Sequence, residues 1–132
     1  MLLANADAPL QAFDVRLHER PVFSLRADRA GQGARDRARA ASRALESVLD
    51  DPEQPLTRVE EPSPESAVIF IGKTPVITLG EDDAAAAGDD VTLHVYAAGV
   101  ASKVDATLRA ERKRSAIATR VLSFLFSSPR RS

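Results

Sequence analysis

The chain has 132 residues, 44% of them apolar and 28% charged, with a net charge of −1. That length and balance fit one folded domain with a single core and exclude a disordered chain. The absence of cysteine excludes disulfides and thiolate-held metals, and no apolar run reaches the ~18 residues of a membrane-spanning helix.

The charge is unevenly spread. Arg26 to Glu46 carries six arginines against Asp28, Asp36 and Glu46. Asp50 to Asp90 carries eleven acids against Arg58 and Lys73, and Lys103 to Ser132 eight basic residues against Asp105 and Glu111. A basic end of this kind suits an anionic surface, or is simply a solvated helix face.

Residues 1–12 read as a disordered N-terminus or as a signal-peptide remnant. Ala4-Asn5-Ala6 and Ala6-Asp7-Ala8 have the small-x-small pattern of a cleavage site, without a basic or full apolar stretch before it. Phe13 to Leu17 and Pro21 to Arg26 alternate apolar and polar residues around His18-Glu19-Arg20, which predicts a β-hairpin. Pro21 has no N–H to donate and belongs at a strand start or an open edge. Ala27 to Gly33 is a loop. Ala34, Ala38, Ala41, Leu45, Val48 and Leu49 then recur at helical spacing, so Ala34 to Asp50 is expected to be a helix, stopped by Pro52 and Pro55. Its arginines Arg35, Arg37, Arg39 and Arg43 are expected on a solvated face; a phosphate-contacting role lacks a recognition motif beside it.

Leu56 to Glu61 is a third strand, followed by a turn through Pro62 and Pro64. Ala67 to Ile71 is continuously apolar and is expected to be the most buried strand. Gly72-Lys73-Thr74 turns the chain into a fifth strand, Pro75 to Leu79. This GKT is not a phosphate loop, because residue 67 is alanine where a glycine is required and a strand follows instead of a helix. Gly80 to Gly88 reads as a short helical turn with acids at its start. Glu81, Asp82 and Asp83 lack the alternating oxygens and distal glutamate of a calcium loop.

Asp89 or Asp90 is expected to cap a long helix whose apolar face is Val91, Val95, Ala98, Ala101, Val104 and Leu108. Glu111-Arg112-Lys113-Arg114 then reads as a solvated charged knot joining this helix to a second apolar piece, Ile117, Val121, Leu122, Phe124, Leu125 and Phe126. Six large apolar residues within ten positions form an exposed patch unless something covers them. The expected fold is therefore α+β, ββαβββα, with a mostly antiparallel sheet, two helices on one face and a long C-terminal helix. The expected divisions are 1–12, a folded domain at 13–110, and the knot with its apolar helix at 111–132.

Chemistry is sparse. His18 falls in a hairpin turn and His94 at the border of the long helix, and both read as boundary histidines. No nucleophile elbow, paired-histidine motif or dinucleotide fingerprint is present, and one tyrosine with no tryptophan offers no stacking platform for nucleic acid. The expectation is a non-enzyme with no metal or cofactor and no nucleic-acid partner. The residues expected to contact a membrane or partner are Arg112, Lys113, Arg114, Ile117, Val121, Leu122, Phe124, Leu125 and Phe126.

Three segments, VRLHERPVFSLRADRAGQGARDRARAASRALESVL, VIFIGKTPVITLGEDDAAAAG and LRAERKRSAIATRVLSF, together resemble the N-terminal extramembrane domain of bacterial small-conductance mechanosensitive (MscS-type) channel proteins. The resemblance covers residues 13–126 and rests on the order of segments. It implies a periplasmic-side domain preceding a membrane part, with Ile117 to Phe126 near the first span. The family's Gly/Ala-rich pore helix and cytoplasmic β-domain have no counterpart here, so no pore residue carries over, and the chain reads as a truncated fragment. The expected partner is a membrane surface or the membrane-embedded remainder of a channel, with a homo-oligomer possible. The alternative is a soluble interaction module whose apolar C-terminal helix docks on a protein or a second copy.

Overall fold

In a computed structural model of the chain, residues 11–88 and 91–127 are described, with side chains described as far as Ile117. The fold is α+β. β1 (Phe13–Leu17) and β2 (Arg20–Leu25) are followed by α1 (Ala34–Leu49). Then come β3 (Thr57–Ser63), β4 (Ser66–Ile71), β5 (Thr74–Gly80), the short α2 (Glu81–Ala86) and the long α3 (Leu93–Ser127).

The five antiparallel strands divide between two sheets, β1-β2 and β3-β4-β5. The reason lies in α1, which packs against β1 and also against β5. Its Ser42 Oγ accepts the backbone N–H of Arg16 in β1 at 2.9 Å, and its Arg37 donates to the Thr78 carbonyl of β5 at 2.9 Å. The helix thus satisfies edge groups that would otherwise seek another strand.

Two of the three hairpins carry a bulge that re-aims an apolar pair. In β1-β2 the register runs Val15↔Phe23 and then Arg16↔Pro21, leaving Val22 as an extra residue. In β4-β5 it runs Ile69↔Ile77 and then Phe70↔Pro75, leaving Val76 extra. Strict alternation would send one member of each adjacent pair outward. With the bulge, Val22 with Phe23 and Val76 with Ile77 are all buried. Pro21 and Pro75, which cannot donate, sit exposed beside these irregularities.

β4 is half-covered: Ala67, Ile69 and Ile71 are fully buried, while Val68 and Phe70 are only partly so. The continuous apolar run predicted burial on both faces, but the outer face is covered by side chains such as Arg58, whose guanidinium stacks 4.4 Å from the Phe70 ring centre. β3 runs on through Pro62 to Ser63 as an exposed edge. The β4–β5 turn has positive φ at Gly72 (63°), where a Cβ would lie 2.7 Å from Pro55 Cβ.

α1 buries Ala34, Ala38, Ala41, Leu45 and Val48 as its spacing requires. Its first turn is capped from the loop by Asp28 Oδ1, which accepts the Ala34 N–H at 2.9 Å. α3 starts at Leu93, and Thr92 Oγ1 accepts the Val95 N–H, as an N-cap does. The expected caps Asp89 and Asp90 lie outside the described residues.

The buried stripe of α3 is Leu93, Ala97, Val100, Ala101, Val104 and Leu108. This corrects the predicted face, since Val95 is 54% exposed and Ala98 is exposed. Both stripes share Ala101, Val104 and Leu108. The observed one adds Leu93 and Val100, and so buries more apolar area than Val95 and Ala98 would. α3 is also one unbroken helix of 35 residues, not two pieces. Glu111 to Arg114 contains good helix formers and no breaker, so the charged knot does not interrupt it.

Candidate functional site

Two polar clusters stand out from an otherwise apolar interior, and both centre on a buried carboxylate. The first joins α1 to α2. Arg37 and Asp83 are each 3% exposed and meet through two parallel bonds, Nη1 to Oδ1 at 2.8 Å and Nη2 to Oδ2 at 2.9 Å. Arg37 donates further to the carbonyls of Ala27 (2.6 Å) and Thr78 (2.9 Å). Asp83 Oδ2 accepts the Gly80 N–H at 2.9 Å, closing the first turn of α2. The cluster ties the 27–33 loop, α1, β5 and α2 together through charge-assisted bonds.

This corrects the expectation that Arg37 lies on a solvated arginine face. The alanine stripe and Arg37 share the buried side of α1, three and four residues apart. The signal available in the sequence was Arg37 lying three residues after Ala34 and four before Ala41. What no spacing revealed was Asp83, 46 positions away.

Beside this pair, Tyr96 of α3 lines a groove of about 440 Å³ with Phe23, Arg26, Asp83, Val100 and Lys103. Burial holds the Tyr96 phenol above its ordinary value. The Asp83 carboxylate pushes the same way and the Arg37 guanidinium opposes it.

The second cluster sits where α3 passes its last core contact. Glu111, three residues beyond the fully buried Leu108, is itself only 3% exposed. Its Oε1 lies 3.1 Å from His18 Nδ1. Its Oε2 lies 3.4 Å from Arg20 Nε and 3.4 Å from Arg114 Nη1. The three partners are exposed, so the arrangement is a buried carboxylate beneath a rim of two guanidiniums and an imidazole. A cleft of about 570 Å³ opens there, lined by Leu17, His18, Glu19, Arg20, Glu111 and Arg114. The expectation of a wholly solvated knot is therefore corrected at Glu111. The spacing Val104, Leu108, Glu111 continues the core stripe, and the Arg20 and Arg114 guanidiniums make a carboxylate tolerable there.

Of the residues expected to meet a membrane or partner, Lys113 and Arg114 are exposed and Ile117 is 50% exposed. Arg112 is partly buried, with Nε and Nη2 out of solvent and without a hydrogen-bond partner among the described residues. Val121, Leu122, Phe124, Leu125 and Phe126 continue α3, and their side chains lie outside the description. The sequence reading did not anticipate that His18, Arg20 and Glu111 belong with this group.

His94 Nδ1 lies 2.6 Å from Glu61 Oε2 at the other end of α3's core segment. Among the described residues no three His, Asp or Glu side chains form a metal-ligand group, and no helix is long and apolar enough to cross a membrane. No curated protein and no solved structure matches the chain. Residues 14–120, which include both carboxylate clusters and α3 as far as Arg120, match the model of a domain of unknown function (DUF8459), and the chain belongs to that family.

Proposed function

We propose that this chain is a non-catalytic extramembrane domain of the kind that precedes the membrane part of a mechanosensitive channel, on the periplasmic side of a bacterial inner membrane. The observation that carries the reading is the continuity of α3. One helix joins the core stripe Leu93–Leu108 to the apolar segment that begins at Ile117. Residues 112–127 extend it by about 24 Å past Glu111. A continuous helix is stiff along its axis. A displacement of the apolar segment is therefore delivered to the folded body, and the body in turn fixes the direction in which the segment leaves.

In this reading the folded part is a cap whose chemistry is positional. Lys113 and Arg114 lie at headgroup level, where basic side chains meet anionic lipid, and the residues from Ile117 onward enter the apolar layer or the rest of an assembly. The order of segments that resembles the MscS-type N-terminal domain supports the same assignment.

Liposome flotation tests it, comparing the full chain with a chain ending at Arg114. The full chain is expected to float and the shortened one to stay in the dense fraction. Equal flotation refutes membrane contact through the apolar segment. A full chain that stays with the dense fraction but sediments as a dimer, and becomes monomeric on shortening, favours the docking module instead.

A further inference from the structure

We propose that the tip of the β1–β2 hairpin is part of the same surface, so that the folded body itself binds anionic phospholipid headgroups through a cationic collar around the base of α3's exposed segment. The proposal rests on the membrane-proximal reading above and adds a contact that the helix alone does not supply. The collar consists of Arg20 from the hairpin and Lys113 and Arg114 from α3, with Arg112 partly buried behind them and His18 beside them.

Three observations carry it. The hairpin tip and the emerging helix are held together by one buried carboxylate, Glu111, within 3.1–3.4 Å of His18, Arg20 and Arg114. The position of Arg20 is therefore set by the fold. The charged side chains there are Arg20, Arg112, Lys113 and Arg114 against Glu19 and Glu111, with Arg16, which donates to the Glu19 carbonyl, paired to Asp14 beside them; the surplus is two positive charges on a chain whose total is −1. Glu111 is buried beneath its partners and faces them, whereas Arg20 and Arg114 keep 43% and 69% of their side-chain surface in solvent. The collar also surrounds the point where α3 becomes exposed, from Lys113 to Ile117. A planar anionic surface that accepts the apolar segment must therefore meet the hairpin tip as well.

Each basic residue near such a surface strengthens partitioning about five-fold, an effect screened over a Debye length of about 8 Å at physiological salt. The test is binding of the full chain to vesicles of phosphatidylglycerol mixed with phosphatidylcholine, and to phosphatidylcholine alone. Arg20→Gln keeps a donor for Glu111 and is expected to weaken binding to the anionic vesicles about five-fold, with no change on the neutral ones. Lys113→Gln, which removes no ion pair with a described residue, should do the same, and the two together should cost about twenty-five-fold. Arg26→Gln is the control. It removes an exposed charge six residues along the hairpin, about 20 Å from Arg20, and should leave binding unchanged.

Circular dichroism of each variant, matching the wild type, establishes that the comparison is between folded chains. Arg20→Gln binding anionic vesicles as tightly as the wild type, while Lys113→Gln binds more weakly, overturns the hairpin's part and leaves the membrane-proximal reading standing. Equal losses for Arg26→Gln and Arg20→Gln also overturn the collar, since general charge then accounts for binding. A wild-type chain that binds neither vesicle overturns both.

Discussion

The Arg37–Asp83 pair makes a sharp prediction because both members are sealed from water. Asp83→Ala leaves the Arg37 guanidinium 3% exposed with only the Ala27 and Thr78 carbonyls to bond, and leaves the Gly80 N–H without its acceptor. Breaking one side of a buried pair costs about 3–5 kcal/mol. For a folded part of roughly 100 residues this lowers Tm by roughly 12–20 °C, at about 4 °C per kcal/mol. It also removes a large share of the ~5–15 kcal/mol that holds such a domain folded. Arg37→Met alone should cost a similar amount, because it strands the Asp83 carboxylate. The double variant removes both charges and should cost much less than the sum, with a coupling of at least about 2 kcal/mol. Urea unfolding of the four proteins, followed by far-ultraviolet circular dichroism, measures the cycle. A loss below about 1 kcal/mol for Asp83→Ala, or additive losses in the double variant, would show that the pair does not bear the cost its burial implies.

The other buried carboxylate should behave differently. Glu111→Leu leaves no stranded charge, because His18, Arg20 and Arg114 are 55%, 43% and 69% exposed and turn to water; it also lengthens the apolar stripe beyond Leu108. Stability measured in urea should change by less than about 1 kcal/mol or rise, and a loss above about 2 kcal/mol would contradict this. Tyr96 is the only tyrosine, so absorbance titration reads it directly. Its raised value means the folded state holds the phenolic proton more tightly than the unfolded state does. Stability is intact below pH 10.0 and falls as pH rises from there through the folded value. Tyr96→Phe should remove that alkaline loss, and parallel stability curves for the two proteins above pH 10.0 would refute it. Gly72→Ala forces a Cβ to 2.7 Å from Pro55 at positive φ and should cost about 1–3 kcal/mol. Gly99→Ala, in an open helical position, should gain about 0.5–1 kcal/mol. Matching signs for these two glycines in thermal melts would count against the backbone assignments.

How much was legible follows from the range of each interaction. The α+β class, all five strands, the first helix and the turn at Gly72 were readable because each depends on neighbours within a few residues. The burial stripe of α3 was misread because two overlapping stripes share Ala101, Val104 and Leu108. Only the contacts made with the rest of the fold, β2, β3 and β4 above all, select Leu93 and Val100 over Val95. The bulges at Val22 and Val76 were not readable either, since a strand's register depends on its partner.

The candidate surface divides in the same way. The basic residues Arg112 to Arg114 and the apolar segment from Ile117 were visible as a local change in composition. That Glu111 is buried, and that it draws His18 and Arg20 to the same place, depends on two segments 93 positions apart. Arg37 and Asp83, 46 positions apart, are the same kind of case. Sequence by itself determined the elements, because hydrophobic periodicity, caps and breakers act locally. Tertiary structure alone decided which charges are buried, because a charge is tolerated in the interior only where distant parts of the chain bring it a partner.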